Sequence, residues 1–197
     1  PVFNGGLLPQ NLNELEIPSW DESILDDYKK LAELFDLEIT LPMQTSRGCT
    51  FKCTFCSETR LYRYKNNEKI VGEMKGLEER TGINNFWFTD SLINGSMPNF
   101  KKFVDKLQEE TDNGNIPKMH WGGHFRTHKK LNGELLTKAV NVGLNYMNVG
   151  VENGVNKILA LMEKGQTSDD VSFFLKSAHE SNVFYNANWI PGYPKEN

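Results

Sequence analysis

Cysteine is scarce in this chain, and where it occurs is informative. Only 3 of 197 residues are cysteine, and all lie between Arg47 and Cys56. An odd number cannot pair completely into disulfides, and no secretory segment precedes them. Long apolar runs are also lacking; none approaches the roughly 20 residues that a membrane helix needs. Charge of one sign is not concentrated anywhere. Lys and Arg number 22 against 26 Asp and Glu, a net charge of −4. Without a basic tract, nucleic acid is not favoured as a partner. No Gly-rich dinucleotide fingerprint is present. These absences predict a soluble protein of a reducing, cytoplasmic setting, with no membrane partner. The 38% hydrophobic and 11% aromatic content is enough for a packed core. The length suits one domain or a piece of a larger protein. The stop at Asn197, just after a strand-and-turn pattern, reads as a truncation.

What is present is a tight thiol cluster. Cys49, Cys53 and Cys56 have the spacing C-x3-C-x2-C. A loop of that length can bring three thiolates together, and soft sulfur ligands select iron–sulfur clusters or zinc. Structural zinc sites want four closed ligands, usually two Cys pairs or one pair with histidines. Here there is one C-x2-C and no second pair. A cubane [4Fe–4S] cluster commonly takes four cysteines; three would leave one iron open to a substrate or cofactor. Phe55, next to Cys56, can stack on a flat ring. The alternatives are a zinc-stabilised α/β binding module and an electron-transfer protein. The latter would need a fourth ligand that the cysteines do not supply.

Around this loop the pattern alternates. Apolar runs suit strands near 41–46, 84–90, 117–126, 145–152 and 183–190. Between them, Ile70, Val71, Met74 and Leu77 share one helical face, as do Phe100, Phe103, Val104 and Leu107. Leu135, Leu136, Ala139 and Val140 form a third such face, and Val171, Phe174, Leu175 and Ala178 a fourth. Asn132 and Ser168 are expected helix N-caps and Gly143 a helix stop. Strand alternating with helix implies a parallel sheet, and repeats without a dinucleotide fingerprint suit a barrel-like wrap. Residues 1–40 read as an extension. Pro9, Pro18 and the acidic cluster Asp21, Glu22, Asp26 and Asp27 suggest a linker followed by a short helix.

The run Cys49-x3-Cys53-x-Phe55-Cys56 resembles the signature of the radical S-adenosylmethionine (SAM) superfamily. Its context, Thr45-Ser46-Arg47-Gly48 before and Ser57-Glu58-Thr59 after, is similar to the cobalamin-associated branch. Phe88-Thr89-Asp90-Ser91, Gly150-Val151-Glu152-Asn153-Gly154 and Pro191-Gly192-Tyr193-Pro194-Lys195-Glu196 extend the likeness over about residues 41 to 197. The resemblance implies an α/β fold, a partial (β/α)6 TIM-like barrel with strands 1–5 supplied by residues 41–197. It implies a [4Fe–4S] cluster on the three cysteines, with SAM chelating the open iron and Phe55 against the adenine. Reduction by an external one-electron donor of flavodoxin or ferredoxin type would cleave SAM to a 5′-deoxyadenosyl radical acting on a small-molecule substrate. Methyl transfer or ring chemistry with cobalamin would then belong to a longer protein. Leu12, Leu15, Pro18 and Trp20 are similar to a segment that connects a cobalamin domain to the barrel; an ordinary surface extension is the alternative. Residues 1–197 contain no Asp-x-His-x-x-Gly segment, so this chain alone is not expected to bind cobalamin.

In such barrels chemistry sits at the C-terminal strand ends. There the resemblance implies SAM contacts from Thr89, Asp90 and Ser91, where the family often has Gly-Gly-Glu; an Asp turn is the alternative. The period of two puts His120, Gly122, His124, Arg126 and His128 on one face. Arg126 can pair with a carboxylate. Three histidines four apart can also suggest a zinc face on a helix, but Gly122-Gly123 argues against a helix there. Met147, Val149 and Val151 should pack on helices, which turns Glu152 into the pocket. There it can accept ribose hydroxyls of SAM or pair with a nearby cation. Asn186 and Asn188 share a face and are expected to line the substrate cavity.

Overall fold

Each apolar run becomes a strand of one sheet, and each helical periodicity covers that sheet from the same side. The computed structural model describes residues 11–17, 20, 22–58 and 61–196. The readings made on Pro9, Pro18, Asp21, Thr59 and Asn197 lie outside them. In chain order the elements are α1 (Glu22–Phe35), β1 (Leu41–Met43), β2 (Ser46–Arg47), β3 (Arg63–Tyr64), α2 (Asn67–Thr81), β4 (Asn85–Phe88), α3 (Met97–Asp112), β5 (His120–Arg126), α4 (Gly133–Asn141), β6 (Leu144–Glu152), α5 (Asn156–Leu161), α6 (Ser168–Glu180) and β7 (Phe184–Trp189).

Five strands form a parallel sheet in the order β1-β4-β5-β6-β7. Every new strand is added beside the last. The order never reverses, so there is no switch point of the doubly wound kind, and the sheet wraps as part of a (β/α) barrel. The small β2-β3 antiparallel pair stands apart from it.

The outer face carries the core. Phe86 and Phe88 of β4 and Trp121 and Phe125 of β5 are buried together with Phe100, Phe103, Val104 and Leu107 of α3. Trp121 packs edge-on against Phe103, ring centroids 5.2 Å apart, and Phe100 lies perpendicular to Phe125. The indole N–H of Trp121 donates to the Val142 carbonyl at 3.0 Å, which satisfies the donor that a buried Trp carries. The remaining predicted helix faces are inward too: Ile70, Val71, Met74 and Leu77 on α2, Leu136 and Ala139 on α4, and Val171, Phe174 and Ala178 on α6 are buried. Gly143 has φ +99°, and a Cβ there would lie 1.6 Å from the Met119 carbonyl oxygen. Only glycine fits where α4 turns into β6.

Asn132 caps α4, its side chain accepting from the Leu135 N–H. The cap of α6 is Thr167, not Ser168. Thr167 and Asp170 form a reciprocal capping box, which Ser168 one residue later cannot complete. Helix α1 has 14 residues, longer than the expected short helix. Ile24, Tyr28 and Leu31 on it are exposed, whereas Leu25 is buried. Leu12 is buried, and the Asn13 side chain accepts from the Asn66 N–H at 2.8 Å, which ties this N-terminal stretch to the start of α2.

Candidate functional site

The C-terminal ends of the five parallel strands converge on the cysteine loop. The first expected strand, 41–46, is interrupted after Met43. The cause is Asp90, which follows β4. Its Oδ1 accepts from the Thr45 and Ser46 N–H groups at 2.9 and 2.8 Å, and its Oδ2 from the Thr45 hydroxyl. The chain is thereby drawn out of β1 and into the turn that launches the loop. Gly48, with φ +79°, then reverses the direction. Asp90 is 1% exposed and all of these donors are inside the fold. Its carboxylate is turned into the protein and not toward the open cavity, so it positions the loop. Thr89 is likewise committed, its N–H and hydroxyl both donating to the Met43 carbonyl. Of the three, Ser91 reaches the cavity, its hydroxyl donating to Glu58 at 2.6 Å.

The loop is pinned from its far side. Thr54 donates from its N–H to the Met162 carbonyl at 3.0 Å and from its hydroxyl to the Leu161 carbonyl at 3.1 Å. The hydroxyls of Thr54 and Tyr193 are 2.8 Å apart. Cys49 and Cys53 are half-buried and Cys56 exposed, all with free thiols. The Cys56 N–H donates to the Cys53 carbonyl, and Cys56 Sγ accepts from the Glu58 N–H at 3.4 Å. On the outer side the loop borders a cleft of about 670 Å³ with Glu58, Leu61 and Tyr62. On the inner side the cysteines, Phe55, Ser91, His124, Arg126, Asn148, Glu152 and Lys164 line a cavity of about 210 Å³ over the sheet. The inner cavity matters more for chemistry, because it gathers the charged and hydrogen-bonding groups.

Arg126 ends β5 on the open face. Asn94 holds its backbone from both sides, accepting from the Arg126 N–H at 3.1 Å and donating to its carbonyl at 2.9 Å. The guanidinium lies 3.4 Å above the centroid of Phe51 in the cysteine loop and donates to the Lys164 carbonyl. Glu152 has φ +67°, a left-handed conformation that is costly for a residue other than glycine. A register shift between Gly150 and Glu152 accompanies it. Such bulges re-aim a side chain, and Glu152 is aimed at Lys164, Oε1 to Nζ 2.8 Å. A Cβ on Gly150 would meet Glu152 Oε1 at 2.5 Å, so glycine makes room for this ion pair. Both side chains are nearly buried, at 11% and 7% exposure. The pairing alternative for Glu152 is therefore realised, with Glu152 still lining the cavity. Its second oxygen has no hydrogen-bond partner among the described residues.

Three features the sequence did not flag are now evident. Lys164 lies in the connection before α6, outside any strand, where parity says nothing; Glu163 and Gly165 on either side of it, with φ +50° and +67°, mark a special turn, and of these only the glycine shows in the sequence. Phe51 is one of the unspecified positions between Cys49 and Cys53, and its ring carries the Arg126 guanidinium. Asn148 shares a face with Glu152 by the period of two, and nothing in the sequence singles it out. His120 and His124 do face inward, yet they stand on a strand, as the glycine pair required.

The donor set fits an iron–sulfur cluster. Burial pushes the Cys53 thiol up, while Lys164 and Arg126 pull it down toward the thiolate. Two cations at such a point offset the negative charge that thiolate ligation accumulates. Among the described residues no three His, Cys, Asp or Glu side chains are gathered for a single metal ion.

A family model described as the Radical SAM superfamily matches residues 43–197. The chain belongs to this superfamily, a family of enzymes that use a [4Fe–4S] cluster and SAM. It is 27% identical over 91% of its length to the anaerobic magnesium-protoporphyrin IX monomethyl ester cyclase of Cereibacter sphaeroides, of which it covers 29%. To an uncharacterized methyltransferase of Pyrococcus horikoshii it is 28% identical over 96%, covering 40% of that protein. The fold is similar to that of TsrM, a radical SAM methyltransferase from Kitasatospora setae solved with cobalamin and a [4Fe–4S] cluster. The TM-score is 0.65 at 19% identity, over 81% of this chain and 32% of that one. The chain thus spans less than half the length of each of these three proteins.

Proposed function

We propose that residues 41–197 are the catalytic barrel portion of a radical SAM enzyme, with residues 1–40 as the connector to a cobalamin-binding domain. The observation that carries this is the set of three free thiols at the strand ends, opening onto one cavity with Arg126, Glu152 and Lys164. Cys49, Cys53 and Cys56 would hold the cluster. When bound, the cluster and SAM supply a one-electron reductive C–S cleavage that yields methionine and a 5′-deoxyadenosyl radical able to take a hydrogen atom from the substrate.

The chain's own groups bind and orient. Phe55, 38% exposed at the cavity edge, offers a face to the adenine. Glu152 accepts from the ribose hydroxyls through its second oxygen, while Lys164 fixes its rotamer. Arg126, locked over Phe51 and by Asn94, presents a rigid cation to the SAM carboxylate. Ser91 offers a hydroxyl beside the loop, and Asp90 and Thr54 keep the loop in place. The electron comes from an external donor of flavodoxin or ferredoxin type. Methyl transfer or ring closure is the proposed outcome in the longer protein, supported by the names of the relatives. Among the described residues no helix is long and apolar enough to cross a membrane. The test is anaerobic reconstitution followed by SAM and dithionite. Methionine and 5′-deoxyadenosine in equal amounts are expected; a cluster-loaded protein that leaves SAM intact would overturn the proposal.

A further inference from the structure

The open face of the sheet is layered, and the layers differ in chemistry. Register places Trp87, Gly122, Tyr146 and Phe184 in one row across β4 to β7. Trp87 and Tyr146 ring centroids are 5.6 Å apart, and Tyr146 stacks on Phe184 at 5.6 Å. Gly122 contributes no side chain, so the rings of Trp87 and Tyr146 meet across it; a Cβ there would lie 2.5 Å from the Tyr146 carbonyl oxygen. Phe184 is 69% exposed, so this aromatic floor is not part of the packed core. Two residues further along the strands, His124, Asn148 and Asn186 form a second row. Two residues beyond that come Arg126, Gly150 and Asn188, with Glu152 and Lys164.

Charge is confined to the row beside the cysteine loop. The middle row is neutral but rich in hydrogen-bonding atoms. Asn148 Oδ1 accepts from Asn188 at 2.7 Å and from Asn186 at 3.4 Å, so the Asn148 amide hydrogens are not used inside this cluster. Burial lowers the His124 pKa below its ordinary 6.5, which favours the neutral ring. Its packing partner is the edge of Trp87. A charged substrate group at this depth would be partly desolvated, which is costly, and the charges of the next row are already engaged, Lys164 with Glu152 and Arg126 with the Lys164 carbonyl and the Phe51 ring. A flat ring would instead lie on the aromatic floor, and carbonyl or ring-nitrogen acceptors would meet the unused amide hydrogens.

We infer that the substrate bound over this open face of the sheet is a neutral, planar aromatic or heteroaromatic molecule, selected by His124 and Asn148, which line the cavity, and by the Trp87–Tyr146–Phe184 row beside them on the same face. The inference rests on reading the cavity as the radical SAM reaction chamber.

The test uses equilibrium dialysis of the reconstituted protein, saturated with SAM, against three probes. These are indole-3-carboxamide, its anionic counterpart indole-3-carboxylate, and the non-planar neutral cyclohexanecarboxamide. The flat neutral amide should bind about tenfold tighter than either of the others, and Asn148→Ala should weaken both amides together while leaving the preference for the flat ring over the cyclohexane ring. Equal or tighter binding of the carboxylate or of the cyclohexane amide overturns the inference, as does no measurable binding of any probe. The wild-type comparison stands even if the variant folds poorly. SAM cleavage is followed in the same samples. Cleavage without probe discrimination sinks the substrate class alone; discrimination without iron loading or cleavage sinks the radical SAM reading and leaves the ligand class standing.

Discussion

Replacing Asp90 probes how the fold holds the cysteine loop, and two replacements should behave in opposite ways. Asp90→Ala strips the acceptor from the buried Thr45 and Ser46 N–H groups and from the Thr45 hydroxyl. Unsatisfied buried donors cost about 1–3 kcal/mol each, so a loss of roughly 3–5 kcal/mol is expected. Asp90→Asn keeps Oδ1 for both N–H groups and turns the third bond round, its amide N–H donating to the Thr45 hydroxyl. It also removes a charge that is expensive to bury. Burial raises the Asp90 pKa from 3.8 to about 6, against the pull of the Thr45 and Ser46 hydrogen bonds and of Lys65. The folded pKa lies above the unfolded one, so the folded protein holds the proton longer. The Asp90 contribution to stability is then highest below pH ~4, falls as pH rises to ~6, by about 2–3 kcal/mol, and stays lower at neutral pH. Urea unfolding of wild type, Asn and Ala proteins at pH 4.5, 5.5 and 7.5 measures this. Asn should match or exceed wild type at pH 7.5, with the gap closing toward pH 4.5. An Asn variant as damaged as Ala, or a gap that ignores pH, would refute the reasoning.

Other expectations are simpler. Lys164→Met leaves Glu152 as an uncompensated, nearly buried charge and should cost about 3–5 kcal/mol in thermal or urea unfolding; Glu152→Gln and Arg126→Ala should each weaken SAM binding by roughly 1.5–3 kcal/mol in proteins with intact clusters. Gly143→Ala forces a Cβ into the Met119 carbonyl and a left-handed φ, so it should yield little folded protein, visible by circular dichroism. Hydroxocobalamin titration should show no tight binding by residues 1–197 and tight binding by a longer protein; tight binding by this chain alone would overturn the assignment of residues 1–40 as a connector.

Most of the architecture could be read in the sequence because burial enforces periodicity. Met147, Val149 and Val151 can be satisfied only against helices, so Asn148, Gly150 and Glu152 had to face the cavity, and they do. The same logic placed Arg126. What escaped were features that depend on contacts distant in sequence. Asp90 ends an apolar run, but its partners lie 44 and 45 positions earlier, and nothing local shows that it turns inward. The two-residue strands β2 and β3 are too short to show alternation. Lys164 sits in an irregular connection, so no period marks it as a partner of Glu152. The α6 cap was missed by one residue because both Thr167 and Ser168 carry hydroxyls, and only the reciprocal bond from Asp170 decides between them.

The central claim is that Cys49, Cys53 and Cys56 hold a four-iron cluster with one iron open. Mössbauer spectroscopy of protein reconstituted anaerobically with 57Fe, before and after adding SAM, tests it most directly. The expected result is about four irons per chain, one of which changes its signal when SAM binds, with loading lost in each single Cys→Ala variant. Stoichiometric zinc with no iron uptake, or a cluster whose irons all ignore SAM, would contradict it.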